Sequence, residues 1–281
     1  MMRFLRFAVL ALGSMVLLFP PIAQARDKKS YTLAIVPQMR ATEIYAKWTP
    51  FVRRLSQELG IDIQLTTYPS IPQFESDLLK GVPDFVYMNP YHVVMKKKEE
   101  AYIPLVKDKT PLVGILVAKK GGKVKSIKDL KGAEIAFPAP NAFAASLYMR
   151  ALLTEQEKLK FTPLYVKTHS NVYRHVTLGM AAAGGGVTRT LKKEPGEIQN
   201  QLDVIYETPP SSSHPIAANP KLPASLRDKV LKAILMLAKD NANKEMFENI
   251  AMPEPVEADY QKDYLPLKKL GLEKYVVLGD D

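Results

Sequence analysis

The sequence predicts an α/β protein of two lobes with a cleft between them. Three observations predict it. Strand-like and helix-like segments alternate from residue 31 onward; the alternation breaks near 119–123 and again near 209–213; and 281 residues with 47% hydrophobic and 24% charged positions give a globular composition with room for two lobes. The expected division is a leader at 1–25, the first part of lobe one at 26–115, lobe two at 116–205, and a return to lobe one at 206–281.

The leader has the anatomy of a secretory signal. Arg3 and Arg6 precede an apolar run at 7–19, followed by Pro20, Pro21 and the small-residue step Ala23-Gln24-Ala25. The run is shorter than the roughly 18–20 residues that span a bilayer, so cleavage after Ala25 and an exported, soluble, basic protein are expected. Lys and Arg total 39 against 29 Asp and Glu, a formal charge of +10 that favours anionic partners. The basic residues lack the interleaved aromatics of a nucleic-acid binder, and export argues against that partner. The absence of cysteine excludes a disulfide framework, thiolate zinc sites, a cysteine nucleophile and a lipidated cysteine. His92, His169, His175 and His214 match no chelating spacing, so no metal and no cofactor is expected.

In the first lobe, residues 31–36 form an apolar strand that turns at Pro37-Gln38. Ile44, Trp48, Phe51, Leu55 and Leu59 recur at helical spacing before Gly60, which predicts an amphipathic helix with a glycine stop. Ile61, Ile63 and Leu65 alternate with polar residues as a strand, and Ser70 with Gln73 announces a helix that ends at Gly81. Residues 85–88 form a third strand and 112–118 a further apolar one, after which Lys119-Lys120-Gly121-Gly122-Lys123 reads as the crossing into lobe two. There, Ser126 opens a short helix that stops at Gly132; 133–137 is a strand; a helix covers about 142–153; 162–168 is a strand; His169-Ser170-Asn171 is a polar turn; and 172–180 is a helix. Residues 202–206 cross back through Pro209-Pro210-Ser211-Ser212-Ser213, and Leu226, Val230, Leu231, Ile234 and Leu237 mark a helix that packs on the first lobe.

Several strings together resemble a known family. Val36-Pro37-Gln38, the string Asp84-Phe85-Val86-Tyr87-Met88-Asn89-Pro90-Tyr91-His92, and His169-Ser170-Asn171-Val172-Tyr173-Arg174 with Gly184-Gly185-Gly186-Val187 are similar to the phosphate-, phosphite- and phosphonate-binding proteins of ABC transporters. The likeness spans about 31–237. It implies a periplasmic-binding-protein fold of type II, with two crossover hinge strands, that closes on a small-molecule ligand and delivers it, as a monomer and without catalysis, to an inner-membrane permease or a sensor. It implies ligand contacts from Gln38, Tyr45, Tyr87, Asn89 and Tyr91 in lobe one, and from Asn141, Ala142, Phe143, His169, Ser170, Asn171 and Tyr173 in lobe two. Backbone N–H groups where the second-lobe turns open helices would cradle the anion.

One departure stands out. Where the family places a cluster of Ser and Thr hydroxyls, this chain has Asn141-Ala142-Phe143-Ala144-Ala145-Ser146, and Ala182 replaces the acidic residue that would meet a ligand amine. An aromatic cleft for an apolar or amphipathic ligand, such as a lipid or sterol, is therefore an alternative. A hydrolase built on Ser170 and His169 is a remote one, because neighbours on a turn do not easily aim at each other. Arg189 beyond the glycines fits either a ligand clamp or a surface charge.

Overall fold

The computed structural model describes residues 30–277 apart from Lys98, so the expected leader and its cleavage site lie outside the described residues. In lobe one, β1 (Ser30–Ile35) is buried along Leu33, Ala34 and Ile35 because both faces are covered, as expected for a parallel strand. It pairs in parallel with β2 (Asp62–Thr67) and with β3 (Phe85–Tyr87). Between them run α1 (Ala41–Leu59), which buries Ile44, Trp48, Phe51 and Leu55 and stops at Gly60 with φ +64°, and α2 (Ile71–Lys80), whose Ser70 cap accepts the Gln73 N–H. Three strands with no alternation signal complete the sheet: β10 (Pro215–Ala218) inserts antiparallel between β3 and β4 (Ile103–Asp108), and β11 (Pro255–Glu257) closes the edge.

Lobe two repeats the plan. Its sheet runs β7 (Thr162–Tyr165), β6 (Glu134–Phe137), β8 (Ala183–Val187), β5 (Gly114–Lys119), β9 (Leu202–Glu207), with β5 antiparallel to β8 and β9 and the first three strands parallel. In each sheet, then, the antiparallel pairings lie at strands that adjoin the crossings, β4 and β10 in lobe one and β5 and β9 in lobe two. The crossing into lobe two precedes Gly114, which corrects the expectation at 119–123: that Lys-Gly stretch is a solvated turn inside lobe two, with Gly121 at φ +71°. The two crossings lie side by side, joined by reciprocal backbone hydrogen bonds between Leu112 and Ser211 of 2.8 and 2.9 Å.

The glycine triplet is β8 itself, fully buried. A Cβ on Gly184 would meet Val172, one on Gly185 the Phe137 ring, and one on Gly186 the Tyr173 hydroxyl, so only glycine lets the covering elements lie this close. Those elements also differ from expectation. The segment at 142 begins as a π turn, Phe143–Leu147, before α3 (Tyr148–Glu155). The polar turn at His169 is already helical: α4 (His169–Thr177) starts there because the Thr168 hydroxyl accepts the Asn171 N–H and caps it. Two short helices, α5 (Thr188–Lys192) and α6 (Gly196–Gln199), follow β8. After the return, α7 (Ala224–Leu237) buries Val230, Ile234 and Leu237 against lobe one, α8 (Lys244–Asn249) packs on α1, and helical turns carry the chain to Tyr275.

Candidate functional site

The loop from β1 into α1, the segment after β10's crossing, the start of α4 and the turn from β8 into α5 converge between the lobes. They enclose a cavity of about 520 Å³ lined by Gln38, Tyr87 and His214 from lobe one and by His169, Ser170 and Arg189 from lobe two. A second, deeper cavity of about 20 Å³ shares Gln38, His169 and His214 and is bounded by Asn89, Phe143 and Lys167. That volume is about enough for a single water.

The polar groups of the cleft are fixed by burial and mutual contacts. His214 lies 2.8 Å from Gln38 Nε2 through its Nε2, and its ring stacks on Tyr87, with centroids 5.5 Å apart. Burial, and then the charge of Arg189, push the His214 pKa down to about 3, so the imidazole is neutral and its bare Nε2 accepts from the Gln38 amide. Burial alone lowers His169 to about 4, and its Nδ1 is 3.3 Å from the Thr190 hydroxyl. Burial raises the Tyr87 phenol to about 12, so it remains a donor. Ser170 donates to Glu194 at 2.5 Å rather than to His169, so these two residues do not form the nucleophile–base pair a hydrolase would need.

Arg189 joins the lobes. Its Nη2 donates to Asp108 Oδ1 at 2.8 Å, and its Nη1 donates to the Ala251 carbonyl; both partners belong to lobe one. Asp108 is held for this role, since its carboxylate also accepts the N–H groups of Thr110 and Glu254, each at 3.0 Å. The guanidinium side chain retains 30% exposure towards the cavity that it lines.

The structure brings together only part of the set implied by the resemblance. Gln38, Tyr87, His169 and Ser170 line the large cavity, Asn89, Ala142 and Phe143 the small one, and Asn171 a neighbouring groove beside Gln38. Tyr45 is 48% exposed and lines neither cavity; on α1 the residues that face the cleft are Glu43 and Lys47, and about 100° of helical rotation per residue turns Tyr45 away. Tyr173 is fully buried against β8, its hydroxyl 2.6 Å from that of Thr190. Asn141 and Tyr91 belong to a buried contact between the lobes. The Asn141 amide donates to Glu75 and to the Val277 carbonyl, both at 2.7 Å, and the Phe143 ring is stacked between Tyr91 and Tyr148. His214, Asp108 and Lys47 carry no motif in sequence; Arg189 alone had a signal, its place directly after the glycine strand.

A family model described as the periplasmic substrate-binding protein of phosphonate ABC transporters matches residues 33–264. The chain belongs to this family. No curated protein matches its sequence. Among solved structures, the binding-protein component of an ABC phosphonate transporter from Pseudomonas aeruginosa aligns with a TM-score of 0.76 at 15% identity over 87% of this chain and 86% of its own. PhnD1 from Prochlorococcus marinus, in complex with methylphosphonate, gives 0.78 at 15% identity over 87% of this chain and 98% of its own. A protein from Xanthomonas citri bound to ATP gives 0.72 at 13% identity over 88% and 98%. At these identities the likeness is one of fold, and the fold is the two-lobed type II arrangement that the sequence implied. Family membership makes this chain a component of periplasmic transport, associated with an ABC transporter and a small-molecule substrate.

Proposed function

We propose that the protein captures a phosphonate or phosphate-like oxyanion in the interlobe cleft and presents it to an inner-membrane transporter or sensor. The observation that carries this reading is that both lobes bring N–H donors to one cavity, the Gln38 amide from lobe one and the Arg189 guanidinium from lobe two, each with more N–H groups than its protein partners take up. The first-turn N–H groups of α4 have no acceptor within the helix, which makes its N-terminus a favourable place for negative charge. With His169 and His214 neutral, the oxyanion is met by neutral donors and one guanidinium, which is sufficient for a desolvated anion. The protein acts as a monomer after cleavage behind Ala25 and catalyses no reaction. The apolar-ligand alternative loses its main support, because the Phe143 ring is taken up by its stack with Tyr91 and Tyr148.

Thermal denaturation of the mature protein with phosphate, phosphite, methylphosphonate, sulfate or a solubilised lipid tests the reading. A ligand present at ~100 times its Kd adds about 2.7 kcal/mol, and each kcal/mol moves the midpoint by roughly 2–4 °C at this chain length. Stabilisation by a phosphorus oxyanion supports the proposal. Stabilisation by the lipid alone overturns it.

A further inference from the structure

The space in the cleft is unevenly distributed. The deep cavity beside Asn89 and Phe143 holds about 20 Å³, whereas the outer one beside Arg189 holds about 520 Å³, far more than a one-carbon phosphonate fills. The outer cavity also has a second group of cations. Lys47, on α1 of lobe one, and Lys193, directly after α5 of lobe two, both line it, as does Arg189. Among the described residues neither lysine forms an ion pair; the Lys193 ammonium reaches only the Glu248 carbonyl, at 3.4 Å. Lys192 lines the cavity as well, so four cations face two carboxylates, Glu43, which pairs with Arg40 at 2.7 Å, and Glu194, which accepts from the Ser170 hydroxyl.

These cations repel one another. Loss of solvent, followed by the charges of Lys47 and Arg189, lowers the Lys193 pKa, and the nearby Glu248 offsets only part of this. Lobe closure therefore brings two ammonium groups from opposite lobes towards the same guanidinium, an unfavourable arrangement that an anion placed among them would reverse. Apolar surface from Met39, Leu112 and Pro253 lines the same cavity and suits a carbon skeleton.

We propose that Lys47 and Lys193, with Arg189 beside them, form a second anion subsite completed on lobe closure, and that the ligand is an organic molecule with two anionic groups, one of them a phosphonate or phosphate. The inference rests on the oxyanion reading above and narrows its substrate class.

Calorimetric titration of the mature protein with propylphosphonate and with propane-1,3-bisphosphonate separates the two. The bisphosphonate should bind about tenfold or more tightly, and Lys47→Gln or Lys193→Gln should remove most of that preference while leaving propylphosphonate affinity within about twofold. Lys120→Gln, an exposed charge change far from the cavity, should retain the preference, and melting curves confirm that each variant folds. Equal affinities for the two probes overturn the subsite and leave the oxyanion reading standing. A lysine variant that weakens both probes equally also overturns it, since a general field would act that way. Failure of wild-type protein to bind either probe overturns the oxyanion reading, and this inference with it.

Discussion

The lobes touch along two edges built from opposite materials. At one edge the Phe143 ring lies between Tyr91 and Tyr148 with planes within 5° and 8° of parallel, and Asn141 binds Glu75 and both backbone groups of Val277 in a buried network. At the other, a partly exposed guanidinium that lines a cavity of about 520 Å³ reaches a buried carboxylate. The first edge is core: Ala142, Phe143, Ala144, Ala145 and Leu147 join the same apolar cluster as β1, α1 and α7 of lobe one. The second is a surface contact with room for a third party. A binding protein needs this asymmetry, because ligand energy can be converted into closure only where the contact is weak enough for a ligand to shift its equilibrium. The segment from Asn141 to Ser146 packs into the first edge, and the Gln38 and Arg189 donors lie at the second.

Acid should break this comparison most strongly, because the two histidines with depressed pKa values both belong to the cleft edge. A base whose folded pKa lies below its ordinary value leaves the folded state with fewer bound protons than the unfolded chain. Its stabilising contribution is complete above the ordinary value of 6.5 and is lost as pH falls towards about 4 for His169 and about 3 for His214. His169 alone, being buried, should account for roughly 3 kcal/mol over that window. Urea midpoints between pH 7.5 and 4.5 should fall steeply for wild-type protein and less steeply for His169→Gln. Parallel slopes would mean that the acid sensitivity lies elsewhere.

The sealed edge should respond to truncation rather than to pH. Phe143→Ala removes the middle ring of the stack from a site with 2% exposure and should cost about 3–5 kcal/mol of unfolding free energy. Equilibrium denaturation at pH 7.5 measures this. A loss below about 1 kcal/mol would show that the edge is not part of the core and would remove the contrast drawn here.

What could be read in the sequence divides along the range of the forces involved. The stripe of α1 with its Gly60 stop, the Ser70 cap and the short helix opened by Ser126 are decided within one or two turns of chain, and the structure has them where the spacing put them. Strands β4 and β10 are central in their sheet but are specified by partners more than a hundred residues apart, Ile216 opposite Val106, and no local period marks them. The site follows the same division. Gln38 and Ser170 stand where a strand ends and a helix begins, and such positions are visible in sequence. Tyr45 and Lys47 differ by two places on one helix, and how the buried stripe of Ile44, Trp48, Phe51 and Leu55 seats on the sheet decides which of them meets the cleft. His214 enters the site because the second crossing returns beside the first, a fact of topology carried by the Leu112–Ser211 bridge.

The smallest stability effect sharpens the contrast most. Arg189→Gln deletes the bond to Asp108 and the bond to the Ala251 carbonyl, yet Asp108 keeps the Thr110 and Glu254 N–H groups, so its carboxylate is not stranded. Because the Arg189 end is partly exposed and Asp108 keeps two N–H donors, the loss should stay well below the roughly 3–5 kcal/mol of a stranded buried charge, and the midpoint of unfolding should move little. Interlobe geometry should move instead, because the sealed edge leaves the cleft as the side on which the lobes can part. Small-angle scattering of ligand-free protein should therefore show a larger radius of gyration for Arg189→Gln than for wild type. An unchanged radius with lost stability would make Arg189 a structural brace, and the cleft edge would then be as fixed as the one sealed by Phe143.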